Sequence, residues 1–165
     1  MRYSLSRRDM LKQAALAAAA IAFPAPLLAD DDAARLRGWY AALRSTGMTR
    51  KSIPLGTRAI QVGELAIGTP YVPNTLEAYL KSGGDPKQQE PLITSLVQFD
   101  CVTLVEGCLA VARASDDGSR PTLDRFHREV ERMRYRGGKR GGYTSRLHYF
   151  SEWITDGERR GTTHA

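Results

Sequence analysis

Seven residues in the middle of the chain, Asp100-Cys101-Val102-Thr103-Leu104-Val105-Glu106, set a thiol where an extended run meets a helical pattern. Upstream, residues 91–99 (PLITSLVQF) are rich in β-branched and aromatic side chains and predict a strand. Downstream, Leu104, Val105, Cys108, Leu109 and Ala112 recur at helical spacing and predict one apolar face. Cys101 then falls in the first turn of a helix, where unpaired backbone N–H groups and the positive end of the helix dipole favour a thiolate. A thiol so placed is a candidate nucleophile. The competing reading is a small apolar residue closing the top of a core helix.

The N-terminus weighs on that choice. Arg7-Arg8, followed by the apolar run Ala14 to Phe23 and a small residue at Ala29, has the order of a twin-arginine export signal. The run is too short for a stable membrane span. Residues 1–29 are therefore read as a signal and residues 30–165 as a single domain, with a periplasmic or otherwise exported destination. Export gives meaning to the two cysteines, because the compartment outside the inner membrane favours disulfides. On one helix, seven residues apart, Cys101 and Cys108 would be separated by about 10.5 Å, beyond the ~7 Å that a disulfide tolerates. Cys108 fits a core position, which leaves Cys101 to chemistry.

The remaining 136 residues, from 165 less 29, suffice for one moderate core. Arg2, Arg7, Arg8 and Lys12 against Asp9 carry +3 of the formal +6, so the domain keeps +3. Asp30 to Asp32 predict the cap of a helix with Leu36, Trp39, Tyr40 and Leu43 on one face, and residues 58–65 a second helix ended by Gly68-Thr69-Pro70. Residues 81–91 read as a polar surface loop, and Thr122 opens a helix with Leu123, Phe126, Val130 and Met133 inward. Arg128, Arg132, Arg134, Arg136, Lys139 and Arg140, interleaved with glycines, could follow a phosphate backbone, but they also suit a solvated helix C-terminus. An exported protein is a poor nucleic-acid partner. Further on, Arg146 and His148 lie among Tyr143, Tyr149, Phe150 and Trp153; Arg146 could pair with a carboxylate and His148 with a bound amide. His127 reads as solvated beside its stripe, and His164 as a terminal residue. Two cysteines seven apart with no histidine nearby make no zinc pattern, so neither metal nor cofactor is expected.

The succession Ala66 to Tyr71 (AIGTPY), Glu90 to Ile93, Phe99 to Glu106, Arg134 to Arg136 and Tyr143 to Ile154 resembles the N-acetylmuramoyl-L-alanine amidase-like branch of the NlpC-type papain-like cysteine peptidases, over roughly residues 55 to 160. The resemblance implies an α+β, papain-like fold with helices packed on an antiparallel sheet. It implies hydrolysis of an amide bond in muropeptides by a cysteine nucleophile, with peptidoglycan fragments and the twin-arginine translocase as partners. Cys101 matches the nucleophile, and Tyr71 the tyrosine flanking the active site. Arg146, His148 and Tyr149 fall in a motif taken as substrate-facing. Such proteins continue into strands that carry the catalytic histidine, so the chain is expected to be a truncated, inactive form lacking the C-terminal sheet strands. The alternatives are a non-catalytic exported cell-wall binding or degenerate protein and, behind it, a nucleic-acid binder using Arg128 to Arg140.

Overall fold

The computed structural model describes residues 25–116 and 120–162, with side chains from residue 31 onward. Arg7, Arg8, the apolar run before Pro24 and His164 lie outside the described residues. The chain folds into helices joined by long connections: α1 Ala25–Ser45, α2 Leu55–Leu65, a 3₁₀ turn Thr75–Glu77 running into the short α3 Ala78–Lys81, α4 Cys101–Ala114, α5 Leu123–Arg134, 3₁₀ turns at Arg136–Gly138 and Tyr143–Ser145, and α6 Phe150–Arg159. None of the described helices is long and apolar enough to cross a membrane.

The predicted antiparallel sheet is not there. Among the described residues the only β pairing is two isolated bridges, Tyr71 with Phe99 and Tyr135 with Arg146, so the α+β, papain-like expectation is overturned in favour of a helical fold. The physical reason lies in where residues 91–99 send their backbone groups. The Leu96 N–H donates to Asp32 Oδ1 (2.7 Å), and the N–H groups of Val97 and Gln98 donate to Ser95 Oγ. Arg134 donates to the Ile93 carbonyl. Phe99 exchanges two bonds with the Pro70–Val72 segment. Side chains thus satisfy groups that a ladder would otherwise have paired.

Helix α4 is the central element and packs mainly on α2 and α5. Its buried face differs from the predicted one. Thr103, Glu106, Gly107, Ala110, Val111 and Ala114 turn inward with Cys108 and Ala112, while Val102, Leu104 and Val105 are more than a third exposed. Small residues let the neighbours approach closely. A Cβ on Gly107 would stand 3.1 Å from the Phe99 ring, and one on Gly63 of α2 3.8 Å from Cys108 Sγ. The core closes with Leu36, Trp39 and Leu43 of α1, Val62 and Ala66 of α2, Leu96, Phe99, and Phe126, Val130 and Met133 of α5. The stripes read for α1 and α5 are therefore the buried ones, and Thr122 caps α5 by accepting from the Arg125 N–H (3.2 Å). Asp32 does not begin a helix, because α1 already starts at Ala25. It is buried and anchors the turn that leads to Phe99 and Cys101.

Candidate active site

Cys101 is the first residue of α4, exposed and free. Asp100 is the N-cap, and it forms a capping box with Thr103: its Oδ1 accepts from the N–H groups of Val102 (3.1 Å) and Thr103 (2.8 Å), while the Asp100 N–H donates to Thr103 Oγ1 (2.8 Å). Its other oxygen accepts from Thr75 Oγ1 (2.6 Å) and the Thr75 N–H (3.3 Å). Burial alone would push the Asp100 carboxyl up, but these donors from Thr103 and Thr75 hold it below 3.8. The cap has a chemical consequence. The second and third N–H groups of α4 are spent on Asp100, and the Leu104 N–H turns to the Asp100 carbonyl. The Cys101 N–H donates to none of the described residues, so it is the first-turn donor left for an incoming oxygen.

The Tyr71 loop is held against this helix start. The Val72 N–H donates to the Phe99 carbonyl (2.8 Å) and the Phe99 N–H to the Pro70 carbonyl (3.0 Å), which leaves Tyr71 67% exposed and bridged to Phe99, two residues before Cys101. From Thr75 the connection passes to Glu77, whose Oε1 accepts from an Arg146 terminal nitrogen (2.9 Å). Arg146 is buried. Its Nε stands 3.1 Å from Glu90 Oε1, an ion-pair contact whose angle falls outside a hydrogen bond. The guanidinium also lies over the Tyr143 ring at 5.2 Å, and His148 contacts the same ring at 4.2 Å between centroids. His148 is exposed, with Nε2 2.9 Å from the Tyr143 carbonyl oxygen. Tyr149 is 71% exposed and precedes α6. The structure thus joins Cys101, Tyr71, Arg146 and His148 through one run of contacts. It gives Arg146 two carboxylate partners, and brings neither His127 nor His148 into hydrogen bonding with Cys101.

Beneath this surface lies a buried ionic layer that the sequence reading missed. Arg134 donates through Nε and a terminal nitrogen to Glu106 Oε2 (2.9 and 2.7 Å), both side chains nearly fully buried. Burial pushes the Glu106 carboxyl up, and Arg134 opposes it. Burial first, and Glu90 beside it, push the Tyr135 phenol well above its usual range. Two signals were available nearby: Asp100 and Thr103 at capping-box spacing, and the charged Glu106 standing among small or apolar helix neighbours. Residues 85–90 dock on residues 140–143, with the Glu90 N–H on the Gly141 carbonyl and the Tyr143 N–H on the Pro86 carbonyl (both 2.9 Å). A Cβ on Gly142 would collide with that Pro86 oxygen. Half of the basic cluster is ion-paired: Arg134 with Glu106, Arg136 with Glu152 and Arg140 with Glu131. His127, predicted as solvated, is half-buried against Phe126, and burial lowers its pKa against the pull of Asp124 and Asp32.

A helical domain built round a capped helix that presents a free thiol describes the class. The AmiA-like, N-acetylmuramoyl-L-alanine amidase-like family model matches residues 61–164, and the chain belongs to that family. No curated protein matches the chain. Among solved structures, two crystal structures of an N-acetylmuramoyl-L-alanine amidase from Bacteroides uniformis are similar, each at 37% identity and a TM-score of 0.52. They cover 64% and 65% of this chain and 40% and 41% of their own. A Legionella pneumophila protein shares the fold at 22% identity and a TM-score of 0.59, over 82% of this chain and 40% of its own. The chain therefore spans about two fifths of the length of the solved structures it matches.

Proposed function

We propose that this family member is an exported hydrolase of peptidoglycan fragments whose nucleophile is Cys101, with the chemistry of the NlpC-type papain-like cysteine peptidases. The observation that carries the reading is the exposed, unpaired thiol at the first position of a capped helix, beside the Tyr71 loop. The thiolate sulfur attacks the carbonyl carbon of an amide in a muropeptide, and the oxygen takes up the charge facing the Cys101 N–H. Collapse of the tetrahedral intermediate breaks the C–N bond as the amine leaves with a proton from a general acid. Water then cleaves the thioester, releasing the acid and restoring the thiol. Tyr71 and Tyr149 offer exposed aromatic surface for the substrate. Arg146 holds the Glu77 and Glu90 segments in place beneath it, and His148 is the described histidine linked to this layer.

A second reading, a non-catalytic protein that binds cell-wall fragments at the same surface, is favoured by the lack of any described histidine bonded to Cys101. Iodoacetamide labelling of the folded protein followed by peptide mass mapping tests the first. Cys101 should be alkylated much faster than Cys108, which is buried with its thiol pushed up to about 11. Comparable rates at the two sites would remove Cys101 as nucleophile. Release of peptide from a muramoyl-L-alanyl peptide, lost in Cys101→Ser, supports the hydrolase. Saturable muropeptide binding without release, unchanged in Cys101→Ser, supports the binder.

A further inference from the structure

At the opposite end of α4 a second polar site is built. Arg113 is twelve residues from Cys101, about 18 Å along the helix. There a solvent-open cavity of about 280 Å³ is lined by Arg58, Arg113, Arg125 and Arg132 together with Asp116 and Glu129. Four guanidinium groups against two carboxylates leave the lining at +2. The bland role for these arginines is to satisfy carbonyls at a helix C-terminus, and they do so in part. Arg58 donates to the Ala112 carbonyl (2.9 Å), Arg113 to the Thr162 carbonyl (2.7 Å), and Arg125 pairs with Asp116 (3.3 Å). That role does not use up the donors. Arg58 is 5% exposed and its Nε has no partner, nor does one terminal nitrogen of Arg113. On the acceptor side, Glu129 Oε2 is buried and unmatched as well. Burial, with repulsion from Arg132, Arg160 and Arg58, lowers the Arg113 pKa against the pull of Glu129.

Orphaned donors buried in the wall of a doubly positive cavity, with one orphaned acceptor on another residue of the same lining, point to a missing occupant. It must carry one or two negative charges, several acceptor oxygens and one hydroxyl that can donate. We propose that this cavity binds a phosphate group that keeps one proton, its oxygens accepting from Arg58 and Arg113 and its P–OH donating to Glu129. The group is either inorganic hydrogen phosphate, with two charges, or a singly protonated phosphate monoester, which keeps its P–OH at one negative charge. Sulfate has the same shape and charge but no proton to offer, so it should bind less well. The site would tie the protein to phosphate without involving Cys101, and it stands or falls independently of the hydrolase reading.

Thermal melting of the full chain at pH 6.5, with sodium chloride at matched ionic strength as the reference, tests this. Inorganic phosphate should raise the melting temperature saturably and more than sulfate does. Arg132→Gln, at an exposed position, should weaken the apparent affinity by at least about tenfold, and Arg113→Gln likewise, whereas Arg128→Gln, on the same helix outside the cavity, should not. If Arg113→Gln fails to fold, Arg132→Gln still decides. No stabilisation beyond sodium chloride, equal stabilisation by sulfate, or an equal loss in Arg128→Gln would overturn the proposal. Glycerol 3-phosphate separates the two sources within it: matching inorganic phosphate points to a monoester, and a clearly weaker effect to the free anion.

Discussion

Asp100 does two jobs with one carboxylate. Oδ1 closes the start of α4 and Oδ2 pins the Thr75 turn, so the thiol next to it is fixed from both sides. Replacing Asp100 by Ala should cost about 0.5–2 kcal/mol at pH 7 in urea unfolding, the range measured for lost N-caps. The pH dependence has a definite sign. The folded carboxyl lies below 3.8, so its contribution is complete above that value and disappears as pH falls through the lower folded pKa. Wild type should therefore lose more stability than Asp100→Asn on acidification below about pH 4. Parallel losses in the two proteins would show that the cap is not linked to acid stability.

At the scale of the element, α4 explains what a sequence can and cannot disclose. Its start was legible because the signal is local: an extended pattern gives way to a helical one at Cys101, and the Asp100–Thr103 cap that fixes it is local too. Its orientation was not. Leu104 and Val105 are the large apolar residues, but α4 packs through Thr103, Gly107 and Ala110, since the partners demand close approach, and through Glu106, because Arg134 arrives from α5. Neither demand is written within α4 itself. The strand reading of residues 91–99 failed similarly, since Asp32, Ser95 and Arg134 take the backbone groups that a neighbouring strand would have used. The Glu106–Arg134 pair is testable. Glu106→Gln should destabilise by about 3–5 kcal/mol in urea unfolding, leaving a buried guanidinium without its counter-charge, whereas Glu106→Leu with Arg134→Met should recover most of that loss. A single variant within 1 kcal/mol of wild type would show the pair to be solvated.

For the whole molecule, the family assignment rests on residues 61–164, while the proposal of export rests on residues 1–29. These parts fail independently. Changing Arg7 and Arg8 together to Lys should leave precursor in the cytoplasm with the folded domain intact, which fractionation and immunoblotting would detect. Normal arrival of the double-lysine protein outside the inner membrane would refute the twin-arginine reading without touching the active-site argument. The order of the site motifs along the chain was legible because each sits in a loop or at a helix end with distinctive residues. The layer joining them, Glu77 and Glu90 on Arg146 and Glu106 on Arg134, spans up to 69 residues of sequence and emerges only on folding.

One arrangement bears on how such a protein would age. The two sulfurs sit on a single helix, one open to solvent and the other sealed in the core, so neither can shield the other from oxidants. Peroxide reaching Cys101 would form a sulfenic acid for which these 165 residues hold no exposed resolving thiol. Its fates are capture by a small thiol, a disulfide to a second copy, or further oxidation that is not reversed. The exposure that makes Cys101 a candidate nucleophile thus ties its working lifetime to the reductants supplied around it.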